Sequence, residues 1–181
     1  MTVNSPVPFD ALASVFSYPD EGYGEHVRAC AAALAEAGGG AAAWMAAFAS
    51  EVAGLGLAQL EELFTRTFDL NPACTLDLGW HLHGEACERG RFLVTVRGLL
   101  REYGIVESRE LPDHLSHVLL LLGRLAPEEA AQLAQSAVVP ALATMAQALE
   151  STANPYRRAL AAVRVLVNEV VIEREAEVCH E

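Results

Sequence analysis

Lysine is absent from this chain of 181 residues, and arginine supplies all 12 of its cationic side chains. Acidic residues number 24, so the formal net charge is −12. Phosphate backbones repel a chain this acidic, so nucleic acid is not an expected partner, whereas a basic peptide or a basic protein surface is attracted. The same charge also serves solubility, because acidic surfaces keep apolar-rich proteins apart.

Paired cysteines, a basic leader and long apolar runs are missing as well. The four cysteines include no C-x-x-C pair, and their spacing matches neither a disulfide framework nor a zinc knuckle. This usage fits a reduced, cytoplasmic compartment. No basic residue precedes Arg28, so the N-terminus lacks the charged region of a signal peptide. No apolar run reaches the roughly 18 residues of a bilayer span, so we expect no membrane insertion.

Aromatic residues are scarce at 7%, although 52% of the residues are hydrophobic and alanine and leucine dominate. Alanine and leucine lose little rotamer freedom in a helix, which predicts an all-α fold. The chain is long enough for a substantial core, and its glycine and proline breaks are too short to separate domains. Residues 1–181 are therefore predicted to form a single helical bundle of about eight or nine helices.

Apolar spacing and helix-breaking residues give the positions of these helices. A loop is expected over residues 69–72, and Pro140 is expected to break or kink its segment. Pro112 and Asp113 are expected to open a helix, with the Asp113 carboxylate stabilising that helix's own N-terminus. The remaining predicted helices span or begin at these positions: Phe9–Phe16, Glu21–Ala37, Ala41–Val52, Leu57, Leu76–Glu85, Arg89–Tyr103, Pro127 and Asn154.

Polar groups concentrate in the middle of the chain, between residues 61 and 125. Acidic residues lie there beside Phe64, Phe68 and Trp80, and this combination suits an amphipathic, basic peptide. The apolar face of the peptide would enter a groove, and its arginines would meet carboxylates. Four charged residues of this stretch can equally pair with one another, and it is their clustering that favours a functional interpretation: Glu85, Arg89, Glu110 and Asp113.

A helical metalloenzyme is the competing hypothesis. Asp77, His81 and Glu85 are spaced by four, so a helix would put them on one face, where His114 would complete a ligand set. The same spacing suits a solvated stripe in which His81 bonds its acidic neighbours. His81 and His83 lie two residues apart, so a helix directs them to nearly opposite sides and they cannot share one ion.

Sequence patterns of catalysis are missing. The one Glu-x-x-His pair is Glu177–His180, and there is no His-Glu-x-x-His, no P-loop and no glycine-framed nucleophile elbow. His114 and His117 are one turn apart, and the simplest expectation is a surface strip beside the leucines of their helix. Metal binding and catalysis are therefore the weaker interpretation.

Two motifs of the middle stretch resemble those of a known family. Glu110–His114 reads E-L-P-D-H and resembles the E-x-P-D-H motif of the NarJ/TorD/DmsD group of assembly chaperones for molybdenum reductases. His81–Gly90 reads H-L-H-G-E-A-C-E-R-G and is similar to the H-x-H-G-E-x-x-x-R-G of the nitrate reductase (NarJ) branch. Leu60–Phe64 departs from the group's aromatic-x-x-Leu-Phe pattern, since leucine stands in the aromatic position.

The resemblance implies an all-helical cytoplasmic chaperone that is not itself catalytic. Such a protein binds the N-terminal segment of a molybdopterin-containing catalytic subunit, with nitrate reductase as the family default. It holds that subunit until bis-molybdopterin guanine dinucleotide, and often an iron–sulfur cluster, is inserted, and it delays docking to the membrane partner. It keeps no cofactor of its own, and we expect a monomer or a weak dimer. A permanent structural subunit of an enzyme complex is a third possibility.

The predicted peptide site combines the motif residues with neighbouring aromatic and acidic side chains. Nearby carboxylates are expected to favour the charged forms of its histidines, so a basic peptide would bind less well as the pH falls from about 8 to about 6. The site comprises these residues: Phe64, Phe68, Asp69, Trp80, His81, His83, Glu85, Arg89, Glu110, Leu111, Pro112, Asp113 and His114.

Overall fold

The computed structural model describes residues 6–178, and over this range all regular secondary structure is helical apart from one isolated bridge between Asp77 and His114. Two π turns, Thr65–Asp69 and Ala134–Val138, extend or join α-helices, so the described residues form nine continuous helices. The prediction of an all-α fold with about eight or nine helices is confirmed. The α-helices are α1 (Pro6–Val15), α2 (Tyr23–Ala37), α3 (Ala41–Val52), α4 (Leu57–Phe64), α5 (Leu78–His83), α6 (Cys87–Glu102), α7 (Leu115–Leu122), α8 (Pro127–Leu133), α9 (Val139–Leu149) and α10 (Tyr156–Val178).

One hydrophobic core runs through the bundle, with α3 packed on α10, α1 on α2 and α7, and α2 on α3. The sequence builds it with apolar stripes at helical spacing. In α2 the buried residues are Tyr23, Val27, Cys30 and Leu34, and α3 repeats the same spacing of four, three and four. α7 is buried on nearly every side, which fits its continuous run of leucines.

A pair of tyrosines ties α2 to α10 inside this core. The hydroxyl of Tyr23 donates to the carbonyl of Val15 at 2.7 Å, so Tyr156 donates its own hydroxyl to Tyr23, also at 2.7 Å. Burial raises the pKa of both phenols above the ordinary value. The two polar groups are thereby satisfied within the core, as buried hydroxyls require.

Pro140 was expected to break or kink its segment, and it does not break the helix. The π turn Ala134–Val138 precedes it, and the chain continues from α8 into α9 as one helix. A proline cannot donate to the carbonyl four residues earlier and its ring clashes with that carbonyl. The wider coil of a π turn relieves this conflict one turn before the proline.

The α5–α6 pair lies at the edge of the bundle, where α6 packs on α5 and α7. Of the 16 residues in α6, Val96 and Leu100 are fully buried, so most of its surface faces solvent. Arg97 donates to both carboxylate oxygens of Glu107 at 3.1 and 3.0 Å and fixes the loop after α6. Among the described residues, none of the helices combines the length and the apolar character of a bilayer span.

Candidate functional site

The second motif, Glu110–His114, meets the N-terminus of α5, the helix that leads into the first motif. The amide of Leu78 donates to the Asp113 carbonyl at 3.1 Å, and the amide of Gly79 donates to Oδ2 of Asp113 at 2.8 Å. The amide of Leu115 donates in return to the carbonyl of Leu76 at 2.8 Å. The first amides of a helix have no partner within it, and here the second motif supplies those partners.

Asp113 was expected to stabilise the start of its own helix, and this prediction is wrong. α7 begins at Leu115 with His114 as its N-cap residue, and Nδ1 of His114 accepts from the amide of Ser116 at 3.3 Å. The histidine ring takes the capping role, so the fully buried carboxylate of Asp113 is directed to α5 instead.

His114 is buried, with 6% of its surface exposed. Its Nδ1 lies 2.7 Å from Oγ of Ser116, and because Nδ1 also accepts from the Ser116 amide, the hydroxyl donates and the ring carries its proton on Nε2. Burial lowers the pKa of His114 from 6.5 to about 4, and the nearby His117 adds to this effect. The ring is therefore neutral at physiological pH.

His117 is also buried and fixes the loop that carries the second motif. Its Nε2 accepts from the amide of Ser108 at 3.0 Å, so the proton sits on Nδ1, which donates to the carbonyl of Leu111 at 2.9 Å. The predicted surface strip of His114 and His117 is therefore wrong. Both rings lie inside because α7 has almost no solvent-facing side.

Arg89 joins α6 to the start of α5. Its Nη2 donates to Oδ2 of Asp77 at 3.2 Å, and its guanidinium carbon lies 5.7 Å from the centre of the Trp80 ring. The side chains of Arg89 and Asp77 are about a quarter exposed, at 23% and 25%. This partial burial strengthens the ion pair relative to a fully solvated one.

Two carboxylates compete for the charge of Arg89. Burial raises the pKa of Asp77, Asp113 and Glu110 raise it further, and Arg89 opposes them. Burial likewise raises the pKa of Asp113, against the Gly79 hydrogen bond and Arg89. Among the described residues, Oδ1 of Asp113 and Nε of Arg89 are buried without a hydrogen-bond partner. The junction between the motifs is therefore locally acidic and incompletely satisfied.

Gly79 lies at the narrowest point of this junction. A Cβ at this position would lie 2.6 Å from Oδ2 of Asp113, 3.0 Å from Cδ1 of Phe92 and 3.3 Å from Cγ of Arg89. Real Cβ atoms do not approach other atoms to 2.6 Å, so glycine is the residue that fits. The sequence pattern alone assigned this glycine no role. A glycine in a helical stretch of an alanine-rich chain indicates a close approach by neighbouring atoms, and this was the signal that could have identified Gly79.

We use the name motif junction for the group formed by Asp77, Gly79, Arg89 and Asp113. Sequence reasoning placed Arg89 and Asp113 in one charged cluster, assigned Asp77 to the competing metal set and missed Gly79. It also missed Phe92, whose ring meets that of His83 edge-on at 5.9 Å. Phe92 is an apolar residue just beyond the first motif, and helical spacing alone gave no reason to single it out.

Phe64 and Phe68 lie in the core. Their ring centres are 5.0 Å apart, and that of Phe68 lies 4.7 Å from Tyr156. The two rings therefore do not line an open groove in this structure, and Pro112 is buried as well. The other predicted site residues divide by exposure: Asp69, Glu85, Glu110 and Leu111 are exposed, while Trp80, His81 and His83 are partly buried.

His81 binds the backbone, not a carboxylate. Its Nε2 donates to the carbonyl of Thr75 at 2.7 Å, and burial lowers its pKa although that hydrogen bond acts in the opposite direction. For His81 and His114 the expectation that neighbouring carboxylates favour the charged form is wrong. At both positions desolvation by burial is the main cause, and it lowers the pKa.

The four residues of the metal hypothesis do not converge. α5 ends at His83, and Gly84 follows with φ of 56°, so Glu85 leaves the helical face that Asp77 and His81 were expected to share. Within residues 6–178, no three histidine, cysteine, aspartate or glutamate side chains come together as a metal site. His180 of the Glu-x-x-His pair at the end of the chain lies outside the described residues.

The fold and the motif junction define a class of protein: an all-helical bundle whose buried polar groups connect helices and leave acidic side chains at an exposed rim. The chain belongs to the nitrate reductase delta subunit family, whose model matches residues 29–162 and thus both motifs. Two curated relatives are the nitrate reductase molybdenum cofactor assembly chaperones NarJ of Escherichia coli K12 and of Escherichia coli O157:H7. Each is 33% identical over 94 residues, which cover 51% of this chain and 39% of the relative.

Proposed function

We propose that this protein is a cytoplasmic assembly chaperone for the molybdenum-containing catalytic subunit of a nitrate-reductase-type enzyme. It acts as one helical domain over residues 1–181, as a monomer or weak dimer, and is not an enzyme. It binds the N-terminal segment of the subunit and holds it for insertion of bis-molybdopterin guanine dinucleotide before membrane docking, without retaining the cofactor. The observation that carries this proposal is that Arg89 of the first motif and Asp113 of the second lie together beside Gly79, inside the family match.

The chemistry around the motif junction supports a basic, amphipathic peptide as the ligand. Glu110 is exposed and close enough to Asp77 to raise its pKa, and Leu111, 43% exposed, follows it in the chain. An exposed apolar side chain beside carboxylates offers contacts to both faces of such a peptide. We propose direct peptide contacts for these residues: Trp80, His83, Glu85, Glu110 and Leu111.

The buried motif residues have a different role in this proposal. Asp113 and His114 make hydrogen bonds within the protein and hold α5 and α7 in place. They position the rim that carries Glu110 and Leu111 and do not themselves touch the peptide. Phe64 and Phe68 support the rim indirectly, through the core.

The catalytic subunit that binds this protein is first captured from native cytosol and identified. Calorimetry with a synthetic peptide of its N-terminal segment then tests the proposal. The titration is run with chelator present, because peptide binding is expected to need no metal. Glu110→Gln/Leu111→Ser should weaken binding about tenfold and leave the melting temperature unchanged, since both side chains are exposed. A matched control, Glu36→Gln/Ile172→Ser, removes the same kinds of exposed group elsewhere. Equal affinity of the two variants would refute the proposed rim.

A further inference from the structure

A groove runs along α9 and α10, away from the residues of the motif junction. Its wider part is a cavity of about 370 Å³ whose lining includes three alanines, Ala143, Ala146 and Ala161. A smaller cavity of about 100 Å³ continues it toward Val139 and shares Ala143 with the first. The groove thus follows α9 over roughly 16 Å, at about 1.5 Å for each residue of a helix.

Two arginines and a tryptophan form the rim of this groove, which we call the α9–α10 groove. Arg157 and Arg164 lie seven residues apart on α10, hence on one face and about 10 Å from each other. Trp44 projects from α3 with 42% of its surface exposed, and Glu150 is the acidic residue of the lining. Val139 adds an exposed apolar side chain at the far end.

The two arginines hold unused positive charge. Arg158, their neighbour on α10, pairs with Glu51, but in the described part of the chain Arg157 and Arg164 form no ion pair. Two guanidinium groups therefore face one carboxylate in the groove of a protein whose net charge is −12. A local positive surface of this kind attracts acidic groups.

We propose that the α9–α10 groove docks an acidic amphipathic helix of a partner protein. The small alanine side chains of the lining let a helix backbone approach closely, and Trp44 and Val139 offer apolar contacts to its buried face. Carboxylates at positions i and i+7 of the docked helix match the spacing of Arg157 and Arg164. The groove is elongated and open, which suits a helix better than an enclosed small molecule. Its charge is opposite to that of the motif junction, so the two surfaces take different ligands.

A synthetic acidic helix serves as the probe. The peptide, of about 16 residues to match the groove, carries glutamate at positions i and i+7 and leucine at i+3 and i+4 in an alanine and glutamine background. Its affinity for the full chain is measured by calorimetry at low salt, with melting curves to verify folding. Arg157→Glu/Arg164→Glu should weaken binding about tenfold or more. Arg28→Glu/Arg101→Glu, which changes the net charge equally at other exposed sites, should stay within about twofold of the parent.

Three outcomes would overturn the proposal. The first is no binding of the acidic probe to the parent protein, and the second is equal loss in the groove variant and the charge-matched control. The third is a dimer in sedimentation that the groove variant abolishes, because the occupant would then be a second copy of this chain. Affinity for the N-terminal peptide is measured on the same samples, and the groove variant should retain it. The proposed chaperone function is thereby tested independently of the groove.

Discussion

Replacing Gly79 by alanine tests whether the motif junction holds the fold together. The added methyl group would meet Oδ2 of Asp113 at 2.6 Å, and Cδ1 of Phe92 and Cγ of Arg89 limit its escape. The carboxylate cannot swing aside easily, because Asp113 is fully buried and bonded to the amide of residue 79 itself. Steric overlap and loss of this hydrogen bond therefore arise together.

The expected cost of Gly79→Ala follows from these two effects. Overpacking a tight interior site costs about 1–3 kcal/mol, and a hydrogen bond to a carboxylate contributes about 1.5–3 kcal/mol. The higher helix propensity of alanine offsets up to about 1 kcal/mol. One shift of the carboxylate causes both losses, so we expect a net loss of about 2–4 kcal/mol. At about 2–4 °C for each kcal/mol in a chain of this size, the melting temperature should fall by about 5–15 °C.

Melting curves by circular dichroism and urea unfolding measure this loss. Gly98→Ala in α6 is the matched control, because nothing lies within 4 Å of a Cβ at that position and its φ is not positive. It should leave the protein equally or slightly more stable. A Gly79→Ala protein that melts at or above the parent temperature would refute the role assigned to the junction. In an Asp113→Ala background, Gly79→Ala should cost much less, because the atom it meets is gone.

Three further outcomes are expected. Asp113→Asn keeps an acceptor for the Gly79 amide, so it should destabilise less than Asp113→Ala in urea unfolding. Because burial lowers the pKa of His114 to about 4, the unfolded state takes up protons first below pH 6.5, and stability should fall by up to about 3 kcal/mol from about pH 6.5 to 4. The raised pKa values of Asp77 and Asp113 have the opposite effect on stability as the pH falls. The test therefore compares the free energy of unfolding of the parent and of His114→Gln across this pH range. The variant should lose less stability as the pH falls, and identical pH profiles of the two proteins would contradict the prediction. N-terminal peptide affinity should fall as salt rises, and a salt-independent affinity would indicate a purely apolar contact.

Helix positions followed from the sequence wherever an apolar stripe and a clear stop coincided. α3 spans Ala41–Val52, the bounds predicted from its apolar spacing and from the glycines that follow it. The π turn before Pro140 did not follow, because spacing rules assume one uniform helical period. The wider coil is a response to the proline and to the packing of α8 and α9, which sequence spacing does not encode.

Motif membership was predictable, but the roles of the motif residues were not. Sequence neighbours suggested that Asp113 serves its own helix, whereas its carboxylate accepts a hydrogen bond from the amide of Gly79, 34 residues earlier, in α5. Likewise, Phe64 and Phe68 have the chemistry of a peptide groove and lie instead in the aromatic core with Tyr156. In both cases a contact distant in sequence decides the role, and local periodicity carries no information about such contacts.

The cap that Asp113 provides has a consequence for the order of folding. α5 has six residues, fewer than an isolated helix needs to be stable in water. During synthesis the segment 78–83 leaves the ribosome well before Asp113 does, so its first amides lack their partners until the second motif has emerged. We expect nascent chains that stop short of residue 113 to leave this segment accessible to protease, and chains that extend through α7 to protect it. We therefore expect the two motifs to fold as one cooperative unit, which forms on the ribosome only after the second motif has emerged.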